Sequence, residues 1–539
     1  RGRFGLTKSN EQMKKFRSPF NTEFASKSDN ADRGSYEETN TKVLNYDGDF
    51  SVTYGKLINE KHMINAVGGM RLSQNGSDKS GYKVQGFIDD EFSNPAFALG
   101  YQEDGKATYM DSKNRALSYY LNFGYSYDDR YLLDLNYRAD GSSVFGADKQ
   151  FTNTWSVGLG WNIHNEAFFE NVSGISLLKL RASIGNPGNQ NFNDYISTRV
   201  YSYNTNNMNI FGSSAIVSNL GNRGLEWQKT LDRNIGFDLV IVDNRLRVNF
   251  DYFNKKTDPL LVHIGTPSST GATTIPRNVG KQITQGINVT LNYSIIRRDD
   301  MFWSVNANMR HQTSEYRNVS DVLTKYNLDN RNRNLTRYYD GGSPSDLWAV
   351  RSCGIDPATG REIFLTKEGK QTFVHDYDDE MVVGNSDPDV EGVIGTSFYY
   401  KGFSASINLR YRLGGQIFMQ TLYDKVENLS SVKKWENLDK RALYDRWKQP
   451  GDKAKFKSIA DSEVTPISSR FVEDNNVLSG ESISLGYEST GKWLSRIGAS
   501  SMSFRAYMND IFRVSTVKNE RGLSYPFARS VSFSLGVTF

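Results

Sequence analysis

The chain has 539 residues with 65 basic and 61 acidic side chains, a near-balance that excludes the concentrated basic stripe of a nucleic-acid-binding protein. Hydrophobic residues reach only 37%, yet aromatics reach 13%, with 30 Tyr, 31 Phe and 8 Trp, which excludes an intrinsically disordered chain. One cysteine, Cys353, and five widely separated histidines exclude an intramolecular disulfide, a cysteine zinc cluster and a His-Glu-x-x-His helix.

From the N-terminus, residues 1–47 are rich in Lys, Ser, Asn and Asp and alternate poorly. They are expected to form an exposed loop, the remainder of an extracellular loop, with 48–539 forming the C-terminal portion of a larger β structure. The first residue is Arg1 and no leader precedes it, so the chain is expected to be one piece of something longer. The longest apolar runs, such as Leu239 to Val242, are far too short for a membrane-spanning helix. Transmembrane strands are not excluded, because they show only alternation.

Alternation is the dominant pattern. Leu117, Tyr119, Leu121, Phe123, Tyr125 and Tyr127 alternate with Ser118, Asn122, Gly124 and Ser126. Trp155, Val157, Leu159, Trp161 and Ile163 follow the same rule, as do Leu246 to Tyr252, Ile287 to Tyr293 and Phe403 to Tyr411. The chain ends on Val531, Phe533, Leu535, Val537 and Phe539. About 15 strands are predicted: 48–57, 62–74, 115–126, 129–138, 152–163, 177–186, 228–241, 245–254, 283–296, 302–311, 391–400, 402–413, 478–488, 500–510 and 529–539. Many exceed the roughly 5–6 residues usual in soluble sheets. Helical character is expected only around Asn428 to Lys448, ended by Pro450-Gly451.

The connections sort by parity. One set is short turns (58–61, 127–128, 242–244, 297–301 and 401), with 164–176 and 489–499 as longer members. The other set is long: 75–114, 139–151, 187–227, 255–282, 312–390, 414–477 and 511–528. Short turns on one rim and long loops on the other is the arrangement of an outer-membrane β-barrel. A β-sandwich has no reason to sort loops this way. The fold class is therefore all-β, a transmembrane antiparallel barrel with long extracellular loops. Phe539, closing an alternating strand, resembles the C-terminal signal by which such barrels are recognised for insertion.

Specific motifs lie along this frame. Arg138-Ala-Asp-Gly-Ser-Ser-Val-Phe-Gly146 precedes Trp155. Leu177-Leu-Lys-Leu-Arg-Ala-Ser-Ile-Gly185 leads to Gly188-Asn-Gln190, then Leu225-Glu-Trp-Gln-Lys229 and Asn234-Ile-Gly-Phe-Asp238. Asn278-Val-Gly-Lys281, Gly354-Ile-Asp-Pro-Ala-Thr-Gly360, Tyr400-Lys-Gly-Phe403 and Leu443-Tyr-Asp-Arg-Trp-Lys-Gln-Pro-Gly-Asp452 follow, with Ser515 to Gly522 and Tyr525-Pro-Phe527 near the end. The ordered set, from about residue 115 onward, resembles the SusC/RagA family of TonB-linked outer-membrane transporters. That resemblance implies a barrel of about 22 strands around a plug. It also implies a SusD-like surface lipoprotein as lid, coupling to TonB, and uptake of oligosaccharides or peptides. It marks Asp140, Gly141, Phe145, Gly146, Trp227, Arg446, Trp447, Pro450, Gly451 and Asp452 as family-motif structural positions. Neither a plug nor a TonB box is visible, so a companion chain carrying the plug and remaining strands is expected as a partner, beside outer-membrane lipid.

No catalytic constellation is present. Asp376-Tyr-Asp-Asp-Glu380 lacks the spacing and central glycine of a calcium loop, and no Gly-x-Ser-x-Gly elbow occurs. No enzyme activity, cofactor or metal is expected. Asp140-Gly141 reads as a turn where the chain leaves the rim. Trp348, Trp435 and Trp447 fall in long loops and are the substrate-contact candidates, with packing inside folded loops as their competing role. Trp155, Trp161 and Trp303 sit in strands, as interface-belt residues do. A passive porin and a surface glycan-binding β protein are the alternative functions.

Overall fold

A computed structural model describes the chain apart from residues 102–104, 145–149, 190–196, 227, 273, 320, 332, 430–437 and 519–527. Its frame is one 18-stranded antiparallel sheet, two of whose strands are two-residue pairs at Gly100–Tyr101 and Gly188–Asn189. The long strands begin with β1 (Gly2–Arg17), β2 (Ser35–Ile58) and β3 (His62–Gln85). Then come Thr108–Tyr127, Tyr131–Ser142, Phe151–Asn162, Ile175–Gly185, Gln228–Ile241 and Leu246–Thr257. The last seven are Lys281–Arg297, Met301–Arg317, Val390–Tyr400, Phe403–Leu413, Val477–Ser489, Ser501–Ser515 and Val531–Thr538. Each long strand pairs with the next in the chain, from β1 to Val531–Thr538. Those two strands are the open edges of the sheet among the described residues.

All the long strands from β2 onward match an expected one. The segment 1–47, expected as loop, instead carries β1 and the first part of β2, which pair over the whole length of β1, from Gly2 opposite Phe50 to Arg17 opposite Ser35. The same error shortened β3 and Thr108–Tyr127, which run beyond the expected 62–74 and 115–126. The cause is chemical. Alternation is visible only where one face is apolar, and these upper segments carry polar side chains on both faces.

Turns at the short rim use residues that tolerate a left-handed backbone. Asn59 and Glu60 (φ 50° and 55°) join β2 to β3, and Asp128 and Asp129 (φ 52° and 50°) join the next pair. The opposite rim holds the long connections, with one exception: 143–150 is shorter than 163–174 and 490–500 on the short-turn rim. No helix among the described residues is long and apolar enough to cross a membrane.

Asp140 and Gly141 do not form a turn. Both lie in the strand Tyr131–Ser142, opposite Ser118 and Leu117. Asp140 is buried and takes the guanidinium of Arg138, which also donates to Ser118 Oγ at 3.0 Å. Gly141 is needed because the Phe151 ring covers it: a Cβ there would sit 2.6 Å from the ring.

The long connections are folded. Leu260, Val262, Tyr316 and Leu323 pack where the hairpin Leu261–Gly265/Thr274–Asn278 meets the helix Asp321–Asp329, which the sequence reading did not anticipate. Of the helical character expected around Asn428 to Lys448, the described residues show a short turn at Lys440–Leu443, while 430–437 lie outside them; a helical turn at Gln420–Leu422 running into Tyr423–Glu427 comes just before the expected range.

Candidate functional site

One face of the sheet is apolar and exposed: Phe50, Val52, Tyr54, Leu121, Leu159, Ile235, Phe533 and Leu535 all lie open on it. A free-standing sheet could not leave such a face uncovered in water. Aromatic rings gather along its short-turn end, where Tyr131 stacks between Tyr127 and Trp161, and Trp161 donates to Glu166 at 2.9 Å. Val531 to Phe539 continue this face to the last residue, Phe539 being 84% exposed.

The opposite face is a polar wall. A hollow of about 910 Å³ opens on it, lined by Asp49, Arg71, Arg138, Arg181 and Asp251 among others. Asp49 stands opposite Arg71 and accepts from Tyr120 Oη at 3.2 Å. Arg181 pairs with Asp238 at 2.9 Å and Asp251 at 3.0 Å, and Asn249 donates to Asp238 at 2.6 Å. Gly236 lies directly between Arg181 and Asp251 in register, and a Cβ there would come 2.4 Å from Asp251 Oδ1. The glycine is what lets three charged groups from three strands share one patch.

Above the wall, the connections 318–389 and 414–476 are interlocked. Arg470, nine-tenths buried, joins Glu362 of the first at 2.9 Å to Glu427 of the second at 2.6 Å. Ser468 Oγ donates to Glu362 at 2.6 Å, and Thr465 Oγ1 donates to Glu427 at 3.0 Å. Beneath lie Val426, Leu429, Ala442, Phe456 and Phe471. Fully burying such side chains contributes roughly 1.5–3 kcal/mol for each large one. A second buried pair, Arg337 with Glu380 at 2.6 Å, holds the first connection together internally.

The sequence motifs meet in pairs here. Trp447 donates from Nε1 to the Pro357 carbonyl at 2.9 Å, its ring lies over Gly360, and Gly451 N donates to Pro357 O at 2.8 Å. Asp452 accepts from the amides of Lys448 and Gln449, and Arg446, buried, donates to the carbonyls of Ala442 and Lys457. Asp356 closes the partner turn: Thr359 donates to it from Oγ1 at 2.6 Å, holding its carboxyl below the usual range. Likewise Asn278 exchanges hydrogen bonds with the backbone of Glu226, at 2.9 Å and 3.1 Å.

Trp447 thus serves as a latch between loops. Trp348 is half-buried in Asp346–Ile355 and stacks on Tyr339 at 4.6 Å. Trp435, Trp227, Phe145 and Gly146 lie outside the described residues. Pro450 is exposed at the latch turn. The acidic run is occupied internally: Asp376 caps a turn by accepting from Asp378 N, Asp378 pairs with Arg331 at 2.8 Å, and Glu380 pairs with Arg337. Arg181, Glu362, Glu427 and Arg470 were not singled out from sequence. Arg181 was legible in principle, as a cation alternating with Lys179 and Ser183 on a strand; the other three were not, since their partners lie far away in the chain.

His375 sits in the same loop assembly, edge-on to Phe364 and Tyr377, with Nε2 buried and unpartnered. Burial pushes its pKa below 6.5, outweighing the pull of Glu362 and Glu380. The folded loops therefore bind fewer protons than unfolded ones just below pH 6.5. Their stability is complete above that value and declines as pH falls through it. Thermal unfolding followed by exchange at 362–380 should show this loss between neutral and mildly acidic pH. The slope should shrink in a His375→Gln variant, and an unchanged slope refutes the assignment.

A sequential antiparallel sheet with an apolar exposed face, a polar wall opposite and long loops on one rim defines an outer-membrane β-barrel. Residues 3–429 match the family model "TonB dependent receptor-like, beta-barrel", and the chain belongs to that family and to the outer membrane. It is 26% identical to TonB-dependent receptor P39 of Formosa agariphila, over 92% of this chain and 51% of that one. It is 24% identical to TonB-dependent receptor SusC of Bacteroides thetaiotaomicron, over 79% and 44%. The chain spans about half the length of the curated relatives it matches. Its fold superposes on the structure of the RagAB peptide transporter with a TM-score of 0.82 and 20% identity, covering 96% of this chain and 56% of that one. The kinship with SusC- and RagA-type receptors read from the motifs therefore holds.

Proposed function

We propose that the whole protein imports a large polar nutrient, an oligosaccharide or a peptide, by TonB-energised transport through the lumen whose wall is built here. The carrying observation is the polar wall, with Arg181, Asp238 and Asp251 fixed on rigid strands beneath a folded loop assembly. Polypeptide carrying the plug and further strands would meet the two open edges, as a companion chain or as another part of the same one. The interlocked loops offer a preformed platform for a SusD-like lipoprotein lid. Trp348 and Trp435 remain the proposed substrate contacts, Trp447 being used in the latch, and Phe539 the proposed insertion signal. No chemistry is performed on the substrate.

The test is growth on a panel of oligosaccharides and peptides as sole nutrient, in the wild type, in a strain lacking the gene and in a strain lacking the TonB-contacting segment. Growth on one class should fail in both altered strains. Full growth in both on every member, with no redundant transporter present, refutes the proposal. Growth lost only in the deletion strain points instead to a passive pore.

A further inference from the structure

A pocket of about 560 Å³ opens in the loop assembly, between the connections 318–389 and 414–476 and the chain that follows Ser501–Ser515. Volumes of roughly 300–1,000 Å³ are usual for sites that enclose a small ligand. Its floor is Met419, Leu422, Phe456 and Phe471, and the two Phe belong to the apolar cluster beneath. Tyr444, largely exposed, adds an open ring at the side.

The charges around this floor divide into two kinds. Arg441 and Arg470 are held, the first by Asp439 and the second by Glu362 and Glu427. Lys455, Lys518, Asp445 and Glu473 are exposed, and their side chains form no hydrogen bond or ion pair among the described residues. The pocket thus sets two unpaired cations and two unpaired carboxylates around an apolar base.

Such a lining is selective. A neutral oligosaccharide brings no counter-charge for either sign, and it turns hydroxyls toward a floor that cannot hydrogen-bond them. No Asn or Gln lines the pocket, and Thr516 Oγ1 is spent on the Asp474 carbonyl. The hollow on the barrel wall differs, being lined by Asn122, Asn136, Asn234 and Asn288. A short peptide with free ends meets every group in the loop pocket. Its apolar side chains cover the floor, its carboxylate faces the lysines and its ammonium faces Asp445 and Glu473.

We propose that this pocket seats a short apolar peptide by its two charged ends, which makes the imported nutrient a peptide rather than an oligosaccharide. The assignment rests on the import reading above and narrows its cargo.

The full-length protein is purified in gentle detergent with the chains that accompany it, and binding is measured by titration calorimetry. The probes are trileucine with free ends, trileucine acetylated and amidated at its ends, and maltotriose. Wild type should bind free trileucine at least about tenfold tighter than the capped form, and maltotriose should not compete with it. Lys455→Gln with Lys518→Gln should weaken free trileucine about tenfold and leave the capped form unchanged. Leu422→Asp should weaken both forms. Lys367→Gln with Lys453→Gln, exposed lysines outside the pocket, should change neither. Equal binding of free and capped trileucine by wild type overturns the proposal, as does unchanged affinity in the first double variant. Competition by maltotriose overturns the choice of a peptide. Because binding is read on purified protein, this result stands or falls separately from the growth assay that tests import. Heat-modifiable migration confirms that each variant is folded.

Discussion

Replacing Arg470 by Met is expected to uncouple the connections 318–389 and 414–476 and to destabilise their assembly by about 3–5 kcal/mol. The substitution keeps most of the side-chain volume and removes the charge, together with the hydrogen bond to the Lys455 carbonyl at 2.6 Å. It leaves Glu427, fully buried, and Glu362, nearly so, facing each other without a cation. Most of the effect is thus the cost of two stranded carboxylates rather than the intrinsic worth of the ion pairs. Adding Glu362→Leu and Glu427→Leu to Arg470→Met should therefore recover a large part of the loss. Hydrogen exchange over 346–385 and 465–475 measures it locally, where the barrel strands do not dominate. Exchange within about 0.5 kcal/mol of wild type would show that the network is not what joins the loops. If the platform docks a lid, co-purification of the lipoprotein should fall in the same variant and return with the triple replacement.

Gly360→Val should be nearly as damaging, for two separable reasons. Gly360 has φ +73°, a left-handed conformation that costs an ordinary residue roughly 1–2 kcal/mol. Its missing side chain is also the seat of the Trp447 indole, 2.5 Å from where Cβ would be. Overpacking adds about 1–3 kcal/mol. Gly369 supplies the control, because it has φ +82° with nothing within 4 Å. Gly369→Val should show the backbone cost alone, and Gly360→Val the sum. Limited proteolysis across 448–455, with Trp447 fluorescence, reads the opening of the latch. Equal behaviour of the two variants would mean that the indole yields freely and does not pin the loops.

Much of the barrel was legible because a membrane imposes a two-residue period on one face. Where lipid touches the strand, as from Leu117 to Tyr127, the pattern is plain. Where water wets both faces, as in 35–47 and 75–85, the same backbone continues with no pattern to betray it. Turn chemistry misled at Asp140-Gly141, since Asp-Gly ordinarily marks a turn. There the glycine answers the Phe151 ring on the neighbouring strand and the aspartate answers Arg138. The long connections were legible by their length, and the motif set was legible as an order. Its meaning was not, because each motif is half of a contact: Gly236 is explained by Arg181 and Asp251, and Gly360 by Trp447. No single stretch of sequence holds both halves. The tryptophans chosen for substrate contact illustrate the same limit, since Trp447 is occupied by Pro357 and Gly360 from a different loop.

Every long ladder in the wall joins strands adjacent in the chain, so the wall can be closed by zipping just two seams. They are unequal. β1 offers sixteen residues to a neighbour, whereas Val531–Thr538 offers eight. In hydrocarbon each unpaired backbone group costs several kcal/mol, so both seams must be filled. The shorter one nevertheless holds with about half as many bonds as β1 can make. A ladder that short is no weakness peculiar to the seam, because Phe151–Asn162 and Ile175–Gly185 are joined inside the wall by only seven residue pairs.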